Sequence, residues 1–221
     1  MSSKRKEEKK SKKKNNKRKL LFCIILVLLI VGGYFGYNKF FKKEEVQAPK
    51  VVDEIKEFNY VVNENDTKLF KSIFADLKKV LSEKEVDNQK YAETIAKLFV
   101  VDFFNLDNKT SKNDVGGVQF VYSSYKSDFI DYARDGIYKQ VISKIDNSNK
   151  QSLPIVTSVD VTGTDEIDSS SIFDSIDFGE NTKGYEVKVS WKYKNGNGFQ
   201  DSAVLTIVQD GDKLSVAKME E

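Results

Sequence analysis

Residues 185–193 read YEVKVSWKY, an unbroken alternation of apolar and polar side chains. Successive side chains of a β-strand point to opposite faces, so this pattern predicts a strand with one buried face. The Asn-Gly-Asn-Gly run at 195–198 predicts a turn into an apolar strand over 203–208. Asp-Gly at 210–211 predicts a second turn into a short strand over 214–216. Together these features predict an antiparallel meander.

Three helical patterns and one further strand precede this meander. Residues 67–81 place apolar side chains three and four positions apart, and Asp66 is placed to cap the start of this helix. Similar patterns predict a second helix over about 87–105 and a third over about 123–145. A strand is predicted over 155–161. Helices followed by such a meander predict an α+β domain with helices packed on one face of the sheet.

Residues 20–37 carry no charged side chain. As a helix rising about 1.5 Å per residue, this stretch is about 27 Å long, close to the bilayer's hydrocarbon thickness of roughly 30 Å. Tyr34 and Tyr37 are placed for the membrane interface. A cleaved secretory signal is the alternative, but no small-x-small cleavage site follows the apolar stretch. We therefore expect an uncleaved transmembrane helix over 20–37.

The charges on the two sides of this stretch predict its orientation. Residues 1–19 contain eleven Lys and Arg against two Glu, a net charge of +9, whereas only three Lys lie close on the other side. The positive-inside rule places 1–19 in the cytoplasm as a basic tail. We expect a single-pass protein of the cell membrane, with a charged spacer over 38–56 and an extracellular domain over 57–221. The basic tail is expected to contact the lipid bilayer rather than nucleic acid, since no aromatic side chain interrupts it.

Gly32 and Gly36 form a small-xxx-small pair within the predicted span. Such pairs let two membrane helices approach closely, so the two glycines are a candidate helix–helix contact that would permit a homo-oligomer. Glycine is also common in membrane helices without this role, and the sequence alone leaves both interpretations open.

The composition of the predicted exterior part excludes several classes of function. Residues 44–221 carry 22 basic and 32 acidic side chains, a net charge of −10, which argues against a nucleic-acid partner. The chain has no histidine, so Ser-His and Cys-His nucleophile pairs are excluded. Its one cysteine, Cys23, lies in the predicted span. No Gly-rich phosphate loop is present either, and we predict a protein without enzymatic activity, catalytic residues or cofactor.

Six acidic residues follow the predicted strand over 155–161 in a Ser-rich segment. Hard cations bind several such oxygens, but the spacing here matches no calcium loop and no glycine sits at a central turn. A solvated loop is therefore favoured, and no metal site is predicted. The six residues are Asp165, Glu166, Asp168, Asp174, Asp177 and Glu180.

Three aromatic residues of the stretch over 185–193, Tyr185, Trp191 and Tyr193, share one predicted face of the strand. Concave sheets line ligand pockets with such residues, so the three form a candidate pocket. The same pattern arises where a sheet simply packs against helices. We favour this second interpretation, which predicts that Trp191 is buried in the core.

The order of three helices over 67–145 followed by strands over 155–216 resembles the NTF2-like fold, a cone-shaped α+β fold with a curved antiparallel sheet. With one N-terminal anchor and a short basic tail, the chain also resembles the bitopic VirB8/TcpC-type components of bacterial conjugation and type IV secretion. This resemblance covers residues 66–219 at the level of element order and rests on no signature motif. It implies a non-catalytic component of a bacterial cell-envelope assembly that binds other envelope proteins. A membrane-tethered NTF2-like domain that binds a small ligand or acts as an enzyme is the alternative, and a sensor of outside conditions is a third.

Overall fold

The structure is a computed structural model, and it describes residues 49–141, 152–168, 183–196 and 198–221. The described residues all lie in Pro49–Glu221, one of the two units into which the chain divides. The predicted membrane helix over 20–37, with Gly32 and Gly36, lies outside the described residues. Within the described ranges, no helix has the length and apolar character that a membrane crossing requires.

Apart from short 3-10 turns, the described part of this unit contains nine helices and strands. In chain order they are β1 (Val51–Ile55), β2 (Tyr60–Asn63), α1 (Lys68–Leu81), α2 (Asn88–Phe103), α3 (Lys126–Asp135), β3 (Ile155–Asp168), β4 (Lys183–Lys194), β5 (Ser202–Asp210) and β6 (Lys213–Glu220). The predicted α+β class is confirmed.

The meander forms a four-stranded antiparallel sheet in the order β3-β4-β5-β6. β3 is longer than predicted and continues past residue 161 to Asp168, because the polar residues beyond 161 pair with the first half of β4. The β3–β4 register shifts between Val156 and Ser158 and again between Val161 and Gly163. Bulges of this kind bend a strand and increase its twist, which accounts for the curvature of the sheet.

α1 begins one residue later than predicted, and a different side chain caps it. The hydroxyl of Thr67 accepts a hydrogen bond from the backbone N–H of Phe70 at 3.1 Å. The prediction that Asp66 caps this helix is therefore wrong. Its carboxylate instead accepts the backbone N–H of Asn63 at 2.6 Å in the preceding turn. The N-cap is the position from which a side chain reaches the unpaired N–H groups of the first turn. Asp66 lies one residue before the N-cap, which is Thr67.

α3 is much shorter than the third helix predicted over 123–145. It ends at Gly136, whose φ of −97° and ψ of −120° are not helical. The apolar spacing continues past this break because Tyr138 and Val141 are buried. Tyr138 lies in a short 3-10 turn, and Val141 follows that turn. The part of the prediction beyond residue 141 lies outside the described residues.

A two-stranded hairpin, β1–β2, precedes the helices, and β1 lies inside the segment predicted to be a charged spacer, 38–56. Tyr60 of β2 is fully buried and donates a hydrogen bond to the carbonyl of Leu214 at 3.0 Å. The hydroxyls of Tyr60 and Tyr91 lie 2.9 Å apart, and burial raises the pKa of both phenols. These contacts fix β2 to α2 and to β6, so at least part of the predicted spacer belongs to the folded unit.

The main core lies between α2 and the concave sheet, since α2 packs against all four strands. Trp191 is only 3% exposed, and its ring centroid lies 4.5 Å from that of Phe104, the residue that ends α2. The prediction that Trp191 is a core residue is confirmed.

Candidate functional site

An apolar groove separates α3 from the last strand, β6. It consists of two adjoining open cavities of about 290 and 270 Å³, and Phe129, Tyr132 and Met219 line both. We call this feature the α3–β6 groove. The first cavity lies between α3 and residues 216–219, and the second extends to Phe104 at the end of α2.

The groove exists because α3 contacts the core through only part of its surface. Phe129 packs against Phe99 and Phe103 of α2, with ring centroids 5.8 and 5.0 Å apart. Tyr132, one turn further along, is left 79% exposed. On the opposite wall, Met219 pairs with the fully buried Leu205 of β5 but is itself 36% exposed, because the helical layer does not cover this end of β6.

β6 is also an edge strand, and its outer edge is only partly covered. Val121 forms a parallel bridge with Val216, and the backbone N–H of Tyr122 donates to the carbonyl of Val216 at 2.9 Å. Beyond Val216, no backbone hydrogen bond to the outer edge of 217–220 occurs within the described part of the chain. Backbone groups on such an edge are available to another extended segment.

Two charged side chains line the groove, Asp128 on α3 and Lys218 on β6. Lys218 already pairs with Glu220 on its own strand at 2.7 Å. Among the described residues, Asp128 has no ion-pair partner. The groove therefore combines apolar walls with one exposed carboxylate that forms no ion pair with a described residue.

The three aromatic residues predicted as a candidate pocket do not line either cavity of the groove. Tyr185 and Trp191 are buried, and Tyr193 is half-buried, with its hydroxyl donating to the carbonyl of Gln200 at 2.9 Å. Burial raises the pKa of Tyr193 to about 12, so this phenol stays neutral at physiological pH. A ligand pocket formed by these three residues stays a prediction.

A buried polar cluster lies at α2's last turn. Lys109 Nζ contacts Asp102 Oδ1 at 2.6 Å, and Asp102 Oδ2 accepts the backbone N–H of Gly117 at 2.7 Å. Gly117 has a φ of +78°, a conformation that favours glycine. A Cβ on Gly116 would collide with the backbone carbonyl of Asp102, so both glycines are required where they stand. Because these groups satisfy one another and tie a loop to α2, we assign the cluster a structural role.

The acidic residues considered as cation ligands are only partly described. Asp165, Glu166 and Asp168 lie on β3 rather than in a loop, while Asp174, Asp177 and Glu180 lie outside the described residues. Lys188 pairs with Asp165 at 2.9 Å and Lys183 with Glu166 at 2.6 Å. Across the described ranges, no group of three or more acidic or cysteine side chains is placed to hold a metal ion.

Comparisons with protein-family models, with curated proteins and with solved structures found no match to this chain.

Proposed function

We propose that the chain is a single-pass membrane protein whose exterior domain binds another protein of a bacterial cell envelope through the α3–β6 groove. The observation that carries this proposal is the exposure of Tyr132 and Met219 on facing walls of one apolar groove. Exposed apolar surface of this kind, rimmed by polar residues, marks interaction sites on soluble domains. Tyrosine and methionine are also enriched at the centres of protein interfaces.

A protein partner accounts for the groove better than a small molecule does. Pockets for small ligands usually enclose about 300–1,000 Å³ and bury most of the ligand. Each cavity of the groove is slightly smaller than this, and both are open to solvent, so a small molecule in the groove would remain largely exposed. The neighbouring strand edge at 217–220 further favours a polypeptide, since its outer backbone groups, which no described residue bonds, can bind main-chain atoms.

Three features of the sequence support placement at the membrane. Residues 20–37 are uncharged and long enough to span a bilayer, and the preceding 19 residues carry a net charge of +9. The rest of the chain, with a net charge of −10 over 44–221, is separated from this basic tail by the predicted span. The α+β architecture with a curved sheet is compatible with an NTF2-like domain and hence with a VirB8/TcpC-type role in conjugation or secretion.

Photo-crosslinking in cells that naturally produce the full chain tests this proposal. With the photoreactive residue p-benzoylphenylalanine in place of Tyr132, we expect irradiation to yield a discrete crosslinked species with another envelope protein. The matched control places the same residue at Val86, which is exposed but lies before α2, at the end of that helix away from the groove. Equal crosslinking at the two positions, or none at position 132, would contradict a docking role for the groove.

A further inference from the structure

The shape of the α3–β6 groove suits one particular form of polypeptide. A helix, α3, and the open edge of a strand, 217–220, face each other across an apolar gap. An extended segment in this gap can form main-chain hydrogen bonds to the strand edge while its side chains contact the helix. Addition of a strand to a sheet edge is a recurring mode of peptide recognition, in which backbone bonds give affinity and pockets for alternate side chains give specificity.

The two cavities adjoin each other, as do the side chains on one face of an extended segment. In a strand, residues i and i+2 point to the same face and lie about 6.6 Å apart. The two cavities adjoin each other along the groove, because Phe129, Tyr132 and Met219 form the boundary between them. Two apolar side chains at i and i+2 of a bound strand can therefore occupy one cavity each.

The charges at the groove indicate what else the segment should carry. Asp128 lines the first cavity without an ion-pair partner among the described residues, whereas the other charged lining residue, Lys218, is paired with Glu220. An opposite charge placed beside Asp128 would compensate it. A basic side chain on the same face of the segment as the apolar pair therefore fits the groove, and an acidic one does not.

A second copy of this chain is a poorer occupant of the same edge. The β5–β6 register shifts between Thr206 and Ile207, which leaves Ala217 as an extra residue on β6, and Lys218 follows directly. Bulges and lysines on an edge strand oppose indiscriminate pairing of edges. The net charge of −10 over 44–221 adds repulsion between copies.

We propose that the α3–β6 groove binds an extended segment of a partner protein as a fifth strand beside β6. Two apolar side chains at i and i+2 fill the two cavities, and a Lys or Arg of the segment pairs with Asp128. This inference rests on the proposed function, since it specifies the chemistry and conformation of the protein that the groove binds.

Fluorescence anisotropy with a designed peptide tests the inference on the full chain in nanodiscs of zwitterionic lipid. The probe is a fluorescein-labelled, acetylated nonapeptide TKTVTVTKT, which places two valines and two lysines on one face of a strand. We expect it to bind with a dissociation constant on the order of 100 µM or tighter. The peptide TETVTVTET, with reversed charges, should bind at least about tenfold more weakly. The peptide TKTVPVTKT keeps both valines and both lysines and should also bind about tenfold more weakly, because proline removes a main-chain donor.

Two charge reversals on the protein complete the experiment. Asp128→Lys should weaken binding of the lysine peptide about tenfold and strengthen binding of the glutamate peptide. Asp160→Lys, on the exposed surface of β3, is the control: it changes the net charge by the same amount and should leave the binding of both peptides unchanged. Neither aspartate is buried, so both variants are expected to fold.

Several results would overturn the inference. These are failure of the lysine peptide to bind, indifference of binding to the proline or to Asp128→Lys, or self-association of the chain in sedimentation that Asp128→Lys abolishes. If any of these occurs while crosslinking at position 132 still captures a partner, the strand mode is wrong and the proposed function stands. If crosslinking at position 132 fails as well, the proposed function falls with it.

Discussion

Replacing Lys109 with Met is expected to lower the free energy of unfolding of the fragment 49–221 by about 3–5 kcal/mol. The side chain of Lys109 is 6% exposed and that of Asp102 is 15% exposed, and their charged atoms lie 2.6 Å apart. Removing the ammonium group would leave the Asp102 carboxylate buried, with the backbone N–H of Gly117 as its remaining partner among the described residues. An uncompensated buried charge is far more costly than the loss of an exposed ion pair.

The same substitution at an exposed ion pair provides the control. Lys79 pairs with Asp76 at 2.8 Å, and both side chains are more than half exposed. Lys79→Met should change the free energy of unfolding by less than about 1 kcal/mol. Urea denaturation followed by far-UV circular dichroism measures both variants. Similar small losses at positions 109 and 79 would show that the buried pair does not stabilise the fold.

Replacing Trp191 with Ala is expected to cost about 3–5 kcal/mol, comparable to the loss at Lys109. Trp191 is 3% exposed on the helix-packed face of β4 and lies against Phe104, so truncation would open a cavity between the sheet and the end of α2. Large-to-small changes in a packed core lose both the transfer free energy of the removed atoms and the contacts around the cavity. Urea denaturation of the fragment 49–221 measures the loss.

Trp191→Phe is the comparison variant. It retains an aromatic ring beside Phe104 and removes the indole N–H, which is buried and has no hydrogen-bond partner among the described residues. We therefore expect a much smaller loss than for alanine. Because Trp191 is the single tryptophan, the emission of the unmodified fragment should be blue-shifted when folded and shift to the red on unfolding. If the alanine variant were as stable as the unmodified fragment, the assignment of Trp191 to the core would be wrong.

Much of the fold follows from local periodicity. The alternation over 185–193 predicts β4 because a period of two, sustained over nine residues, has no helical equivalent. The spacing over 67–81 likewise predicts α1. Apolar spacing does not report the backbone dihedrals of a single residue. The spacing continues through Gly136, so the predicted third helix is longer than α3. β1 is short and largely exposed, and its pairing with β2 makes it a strand.

The α3–β6 groove could not be predicted in the same way. Phe129 and Tyr132 are both aromatic residues of one helix, and only the contacts of Phe129 with α2 determine that Tyr132 is the exposed one. Met219 lies beyond the strand predicted over 214–216, in a polar stretch that becomes part of β6 by pairing with β5. Lys109 and Asp102 likewise meet only because the loop after α2 folds back. Exposure and pairing of this kind are set by tertiary structure.

Cysteine footprinting on intact cells tests the central proposal, an exterior groove occupied by a protein partner, most directly. In a full chain carrying Cys23→Ser, single cysteines are introduced as Tyr132→Cys or Val86→Cys, both at exposed positions. A membrane-impermeant maleimide then labels whole cells and, separately, the purified protein. We expect Val86→Cys to react at similar rates in both samples, and Tyr132→Cys to react at least about tenfold more slowly on cells than in purified form, since a bound partner covers it. The same relative rates in both samples would contradict an occupied groove, and labelling of both cysteines only after lysis would contradict the exterior location.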